Sequence, residues 1–399
     1  MTEWPADDIV MFSTADWDSQ YWTNKQHTAA RLAARGHRLL YVETVGLRQP
    51  GLNQIDARRI AARLRRGLAP PAQVRDNLWV LSPLTVPMGQ RHSAIKAFNG
   101  WQLRKRIGGW LRQQKIVRPL IWTYHPFMLE AAEDLAPSKV VYHCVDSLGA
   151  VPGIDRTAFE PAERRLLART DLTFATSHQL QERCAAVAGS KAHYFGNVAD
   201  ITHFARARQI GALPPELAAI PQPRLGYIGV LADFKIDFSL LETLVSAHRD
   251  WHFVFIGDPP EGQNSDAVAR LARQSNVHLL GWRPYHELPN YMRGLDIGLL
   301  PQLINDYTRS MFPMKFFEYL AAGLPVVSTP LPALRDLASF HTVANDATAF
   351  ASAISSALAG RGPAIPDVNH PLLQANSWDA RLDQMMAIIE AAPSRDIAS

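Results

Sequence analysis

The sequence predicts an α/β fold of two Rossmann-like domains, each a parallel sheet covered by helices. Three observations carry this. Short apolar, β-branched segments alternate with longer helical patterns over nearly all 399 residues, as strands joined by helical crossovers do. The alternation breaks at 205–223, which holds four prolines and no strand pattern, and then restarts. The length, with 47% hydrophobic and 20% charged residues, suits a globular chain of two or three domains.

In chain order, the strand candidates of the first domain are 8–13, 38–43, 78–81, 120–124, 139–144 and 172–175. Helical patterns lie at 23–35, 56–67, 91–115, 126–135, 159–168 and 177–188. After the break come strand candidates 224–228, 252–256, 277–280, 297–300 and 325–328, again interleaved with helices. A last helical pattern, 378–392, follows a Pro-rich stretch at 362–371. The expected layout is a first domain at 1–204, a linker at 205–223, a second domain at 224–374, and a terminal helix and tail at 375–399.

Composition narrows the function classes. Only Cys144 and Cys184 are present, which excludes a disulfide scaffold and suits a reducing compartment. No run approaches the roughly 18 apolar residues of a membrane span, and the acidic start lacks the basic end of a signal peptide. The expected location is cytoplasmic. The net charge of +4 is unevenly placed, residues 1–200 carrying a net +8 and 201–399 a net −4. Between Arg48 and Arg118 stand 15 basic residues against Asp56 and Asp76 alone, which attracts an anionic surface or ligand.

The most informative string runs from Ser310 to Thr329 (SMFPMKFFEYLAAGLPVVST). Pro313 suits the first turn of a helix, whose free N–H groups and positive dipole end seat a phosphate. Lys315 adds a full charge there, and Glu318, one turn along, can accept hydrogen bonds from sugar hydroxyls. Gly323 and Pro325 end the helix and restart a strand. The plain alternative is an amphipathic helix with both charges in water. Gly229 closes the strand candidate 224–228, where a glycine lets backbone approach a ligand. No Gly-x-Gly-x-x-Gly occurs, which weighs against an NAD enzyme.

The string from Pro313 to Val327 resembles the nucleotide-sugar motif of GT-B glycosyltransferases, family 4 above all. Phe195 to Asp200 with Phe204, Asn276 to Pro289, and Asp296 to Pro301 resemble further segments of that family, in order. The resemblance implies two Rossmann-like domains facing across a cleft, with the terminal helix crossing back to the first. It also implies a nucleotide-sugar donor, UDP-linked, bound without metal or other cofactor. Gly229 and the loop to Lys235 would approach its diphosphate, and Leu231, Trp282 and Arg283 would flank its base. Met314 and Lys315 would lie in the donor site, with Lys315 on phosphate and Glu318 on the ribose. Family members that retain anomeric configuration carry Glu-x7-Glu. Here Ser310 stands eight residues before Glu318, and Asp306 is out of register.

In the first half, Asp146 follows the strand candidate 139–144, at the edge where open α/β sheets bind ligands. A carboxylate there can take a proton from an attacking hydroxyl. The alternative is a helix cap or loop carboxylate. The surrounding VVYHCVDSL resembles the segment carrying the base of the inverting glucuronosyltransferase of xanthan assembly, and that resemblance makes Asp146 the preferred base. Asp16 and Asp18 look superficially like a metal-binding Asp-x-Asp, but no further carboxylate or His cluster accompanies them, so no metal is expected. Asp16, Asp18, Lys25, His27 and His125 are candidates for acceptor contact, all near predicted strand ends.

The helical patterns 56–67 and 91–115 combine apolar stripes with Arg59, Arg63 and Arg66, and with Arg104, Lys105 and Arg106. Such helices fit an anionic membrane surface. The alternative is a core stripe with a solvated basic face. No nucleic-acid-binding string accompanies the charge. The expectation is a metal-independent, inverting GT-B glycosyltransferase acting peripherally at the inner membrane face. Its partners would be a UDP-sugar and a polyprenyl-diphosphate-linked saccharide of exopolysaccharide or envelope glycan synthesis. A retaining transferase, a nucleotide-sugar 2-epimerase and a non-catalytic nucleotide-sugar binder are the alternatives.

Overall fold

The computed structural model describes residues 8–43, 67, 69–83, 93–151, 153–260 and 265–395. The chain divides into two compact units, Met1–Phe195 with Leu382–Ser399, and Gly196–Arg381. The helical pattern 56–67, with Arg59, Arg63 and Arg66, lies outside the described residues.

Among the described residues the first unit is built on eight strands: β1 (Ile9–Phe12), β2 (Leu39–Val42), β3 (Ala72–Arg75), β4 (Leu78–Leu81), β5 (Leu120–Thr123), β6 (Lys139–Cys144), β7 (Leu172–Ala175) and β8 (Ala192–Tyr194). Their order is β3-β4-β2-β1-β5-β6-β7-β8, parallel except for the β3–β4 pair. β1, β2, β5 and β7 are buried along their whole length, as strands covered on both faces must be. That is why they read as continuous apolar runs. The missed strand β3 is exposed throughout and carries no apolar run.

One face of this sheet packs Ala29, Leu32 and Ala33 of the helix Asn24–Ala34 together with Leu382, Met385, Met386 and Ile389. The other packs Leu103, Ile107, Trp110 and Leu111 of the helix Ser93–Gln113. The helix Asn24–Ala34 starts where the sequence expects, because Thr23 and Gln26 form a capping box. Parallel register, such as Phe12 beside Val42 and Thr123, aligns the strand ends. The segments after β1, β5 and β6 therefore leave from one edge of the sheet.

Among its described residues the second unit holds six parallel strands: β9 (Arg224–Ile228), β10 (His252–Ile256), β11 (Val277–Leu279), β12 (Ile297–Leu300), β13 (Val326–Ser328) and β14 (Thr342–Val343), in the order β11-β10-β9-β12-β13-β14. Two glycines let the layers close. A Cβ on Gly226 would meet Leu295 at 2.2 Å, and one on Gly298 would meet Tyr319 at 2.5 Å. Tyr319 thereby lies flat on β12, and its hydroxyl accepts the Ile228 N–H at 2.9 Å. Gly323, at φ +85°, caps the helix Lys315–Ala322 in the left-handed conformation that glycine adopts without strain.

One boundary differs from the sequence reading, while the terminal helix returns to the first unit as the resemblance implies. The segment 205–223 is no free linker: Ala207, Leu217 and Ile220 are buried in the second unit's core. Leu217 and Leu213 fill the space beside Gly294. The prolines there break regular structure without preventing burial. The terminal helix Trp378–Ala391 is shared, its residues from Leu382 onward belonging to the first unit. In that unit Lys139 Nζ donates to the Ile389 carbonyl at 2.6 Å, and Arg395 pairs with Asp171 at 2.7 Å.

Candidate active site

In the second unit, β9 ends at Gly229, whose φ of +143° turns the chain sharply. The Gly229 N–H donates to Ile256 and the Leu231 N–H to the Asp258 carbonyl, each at 2.9 Å. The loop 230–237 is thus tied to the end of β10. Lys235 stacks over the Tyr307 ring at 4.9 Å and the Phe234 ring at 5.5 Å, and its carbonyl accepts the Leu303 N–H. Its side chain is half-buried beside that edge.

The helix Lys315–Ala322 leads into β13, so it starts at the edge where β12 ends. Pro313 stands one residue before the N-cap, Met314, not inside the first turn. Lys315 Nζ lies 2.5 Å from Glu318 Oε2, so the two charges are joined in an i,i+3 pair. Glu318 is only 3% exposed, and Lys315 is the cation it pairs with. Ser310, eight residues earlier, is buried and donates to the Tyr307 carbonyl at 2.9 Å.

Two base-flanking expectations are placed differently. Leu231 is 1% exposed within the core, because the loop folds inward where Ile236 and Phe238 also pack. It has no side-chain surface for a ligand. Arg283 is committed to its own unit: Nε donates to the Tyr291 hydroxyl at 2.5 Å and Nη2 to Glu216 at 3.1 Å. Tyr291 donates to the same Glu216 oxygen at 2.5 Å. The Tyr291 and Arg283 donors hold the Glu216 carboxyl below the usual carboxylate range. Trp282 is half-buried, its backbone N–H donating to the Asp258 carboxylate at 3.2 Å. Sequence reasoning missed Asp258, Glu216 and Tyr291. Gly257, in a left-handed turn just past β10, is the one signal that pointed to Asp258.

In the first unit, Asp146 stands two residues past β6, half-buried, its carbonyl accepting the Leu148 N–H at 2.9 Å. The loop after β1 is held by groups the sequence reading passed over: Glu43 accepts the Trp17 N–H at 2.8 Å, and Ser13 and Tyr41 join at 2.6 Å. Burial pushes the Tyr41 and Tyr124 hydroxyls upward, so both stay protonated. Asp18 is exposed and Asp16 half-buried.

Three acceptor candidates turn inward. His125 is fully buried, and its Nδ1 accepts the Phe127 N–H, capping the turn Pro126–Met128. Lys25 is buried 5.9 Å over the Tyr124 ring. His27 is buried between Trp22 and Arg31.

The basic helix Ser93–Gln113 also sorts differently. Arg106 donates to the carbonyls of Gly67, Ala69 and Ser82, and Arg104 pairs with Asp134 at 2.7 Å. The Arg104 pair is exposed to solvent. Phe98 and Trp101 are 47% and 51% exposed, with Lys105 5.2 Å over the Trp101 ring. Among the described residues no group of three or more His, Cys, Asp or Glu is placed to hold a metal ion. Among the described residues no helix is long and apolar enough to cross a membrane.

Residues 222–360 match the family model described as glycosyl transferases group 1. The match lies within the second unit, and the chain shares the GT-B architecture of solved glycosyltransferase structures. The matched segment spans the Gly229 turn and the Lys315–Glu318 pair. The chain is 32% identical over 211 residues to a putative teichuronic acid biosynthesis glycosyltransferase of Bacillus subtilis, covering 49% of this chain and 51% of that protein. It thus spans about half the length of that relative. It is 25% identical to the 2-deoxystreptamine glucosyltransferase of Streptomyces kanamyceticus, covering 74% and 77%. The GT-B architecture is shared with sucrose-phosphate synthase of Thermosynechococcus elongatus, at TM-score 0.70, 15% identity and 96% and 98% coverage. It is shared too with Anabaena HepE in complex with UDP-glucose, at TM-score 0.64, 15% identity and 96% and 100% coverage.

Proposed function

We propose that the chain transfers a sugar from a UDP-sugar to a saccharide acceptor, with inversion at the anomeric carbon. The carrying observation is the Lys315–Glu318 pair at a helix start, on the same strand-end edge as the Gly229 turn and inside the segment that matches group 1 glycosyltransferases. A diphosphate at that edge meets a helix N-terminus and a cation. The UDP assignment draws support from HepE, a GT-B protein solved with UDP-glucose.

Chemically, an acceptor hydroxyl attacks C1 while the bond from C1 to the diphosphate oxygen breaks. The hydroxyl proton passes to the Asp146 carboxylate, and Lys315 with the helix N–H groups stabilises the leaving diphosphate. Inversion is favoured because buried Ser310 occupies the position where a retaining relative carries its first glutamate, and Asp306 is exposed. As acceptor we propose a polyprenyl-diphosphate-linked saccharide of envelope glycan synthesis, reached from the inner membrane face. The name of the Bacillus relative supports the polymer class. The docking surface would be the outer side of the helix Ser93–Gln113, where Phe98, Trp101 and Lys105 are exposed.

The test is a product assay across UDP- and GDP-sugars with a lipid-linked saccharide extract, followed by NMR assignment of the product anomer. Transfer with inversion is expected, together with loss of at least about 100-fold in Asp146→Asn, the range of a general base. A retained anomer, or near-normal turnover by Asp146→Asn with intact UDP binding, overturns the mechanism.

A further inference from the structure

Beneath Asp146 lies a polar cluster, buried at Glu163, Tyr142 and Cys144 and open to solvent at Arg183, for which the proposed chemistry has no use. Glu163, on the helix Arg156–Arg169, is buried, and its Oε1 accepts from the Tyr142 hydroxyl at 2.7 Å and from Arg183 Nη2 at 3.1 Å. The Cys144 thiol lies 3.8 Å from the same oxygen. The Cys184 sulfur beside it, then burial, push the Cys144 thiol up, and burial pushes up the Tyr142 hydroxyl. Both therefore remain neutral, and the cluster reduces to one carboxylate and one guanidinium.

Arg183, on the helix His178–Ala188, has a second task. Its Nη1 donates to the Ser147 hydroxyl at 3.2 Å while Nη2 stays on Glu163. On the other side of Asp146, the Thr176 hydroxyl donates to the Val145 carbonyl at 2.8 Å, and the Thr176 N–H to the Cys144 carbonyl. Asp146 is thus bracketed, Val145 held by Thr176 just past β7 and Ser147 by Arg183 of the following helix. A planar fork reaching two acceptors at once is a geometry that a lysine ammonium does not reproduce.

We propose that Arg183 is a positioning residue for Asp146: anchored by buried Glu163, it fixes Ser147 so that the carboxylate projects from a rigid backbone. This rests on the reading of Asp146 as base. General-base transfer demands placement within hydrogen-bond reach of the attacking hydroxyl, so a loosened loop lowers turnover more than donor binding.

The experiment uses the full chain with Ser147→Ala, Arg183→Lys and Asp146→Asn. Ser147→Ala removes only the Arg183 contact and leaves the Glu163 pair in place. Hydrogen exchange is followed on peptides spanning 143–151, with UDP as the binding probe and the best donor of the assay above for turnover. Ser147→Ala and Arg183→Lys are expected to raise exchange in 143–151 at least threefold while the peptides of β1 and β5 stay protected. Their kcat is expected to fall about tenfold, with the KM for donor and UDP affinity within twofold of the unaltered chain. Unchanged exchange in both variants overturns the inference, as does unchanged kcat in both. A loss that follows a general fall in Tm also overturns it, because a merely structural role predicts that pattern. If Asp146→Asn retains turnover, the base reading itself fails; if that variant is inactive while both others are fully active, only the positioning role fails.

Discussion

Lys315 and Glu318 answer to each other before they answer to any ligand. The pair closes at 2.5 Å over a carboxylate that is almost wholly buried. Removing the cation strands that carboxylate, and a charged hydrogen bond of this kind contributes about 1.5–3 kcal/mol. Lys315→Ala is therefore expected to lower unfolding stability by that amount and UDP affinity at least tenfold, read by urea titration and calorimetry. Lys315→Ala combined with Glu318→Gln should recover stability without recovering affinity. The sequence set both residues on one side of the helix start but gave Glu318 to sugar hydroxyls; its burial against Lys315 was not read there. Leu231, His125 and Arg283 were not legible either. Whether a loop side chain turns to a ligand or to the core depends on partners far along the chain: Ile256 and Asp258 for the Leu231 loop, Glu216 for Arg283.

The helix Ser93–Gln113 shows what periodicity does and does not say about an element. Leu103, Ile107, Trp110 and Leu111 form the buried stripe, while Phe98, Trp101, Lys105 and Arg112 recur at spacings of three, four and seven on the opposite side. An apolar count alone puts Phe98 in the core; the structure puts it in solvent. Exposed aromatics beside cations suit a bilayer interface with anionic lipid. Co-sedimentation with phosphatidylglycerol vesicles is expected to weaken at least tenfold in Phe98→Ser with Trp101→Ser. It should also fall as salt rises, since exposed charges are screened beyond about 10 Å at 0.1 M. Equal binding to zwitterionic vesicles would argue against the charge contribution. Segment 205–223 teaches the converse lesson. Its prolines announced a break in regular structure, but the contacts of Leu213 and Leu217 with the glycine at position 294 are long-range facts that no local pattern carries.

Across the molecule, the alternation of strands and helices was legible because parallel strands covered on both faces must be continuously apolar. The exposed β3 and the two-residue β14 left no such trace. Burial holds His193, His278 and His341 below the ordinary imidazole range, with His252 adding to the effect at His278. A base whose folded pKa is depressed stabilises the fold above its unfolded value near 6.5 and withdraws that stability as pH falls below it. The Tm is therefore expected to decline between pH 7 and 5, and less steeply in His341→Gln, by scanning calorimetry at fixed ionic strength. The return of the chain from the second unit to the first also sets an order of events. Leu382, Met385, Met386 and Ile389 complete a core begun at Ile9. During synthesis the second unit can close while the first still lacks one wall, so the portion made earliest is the last to be finished.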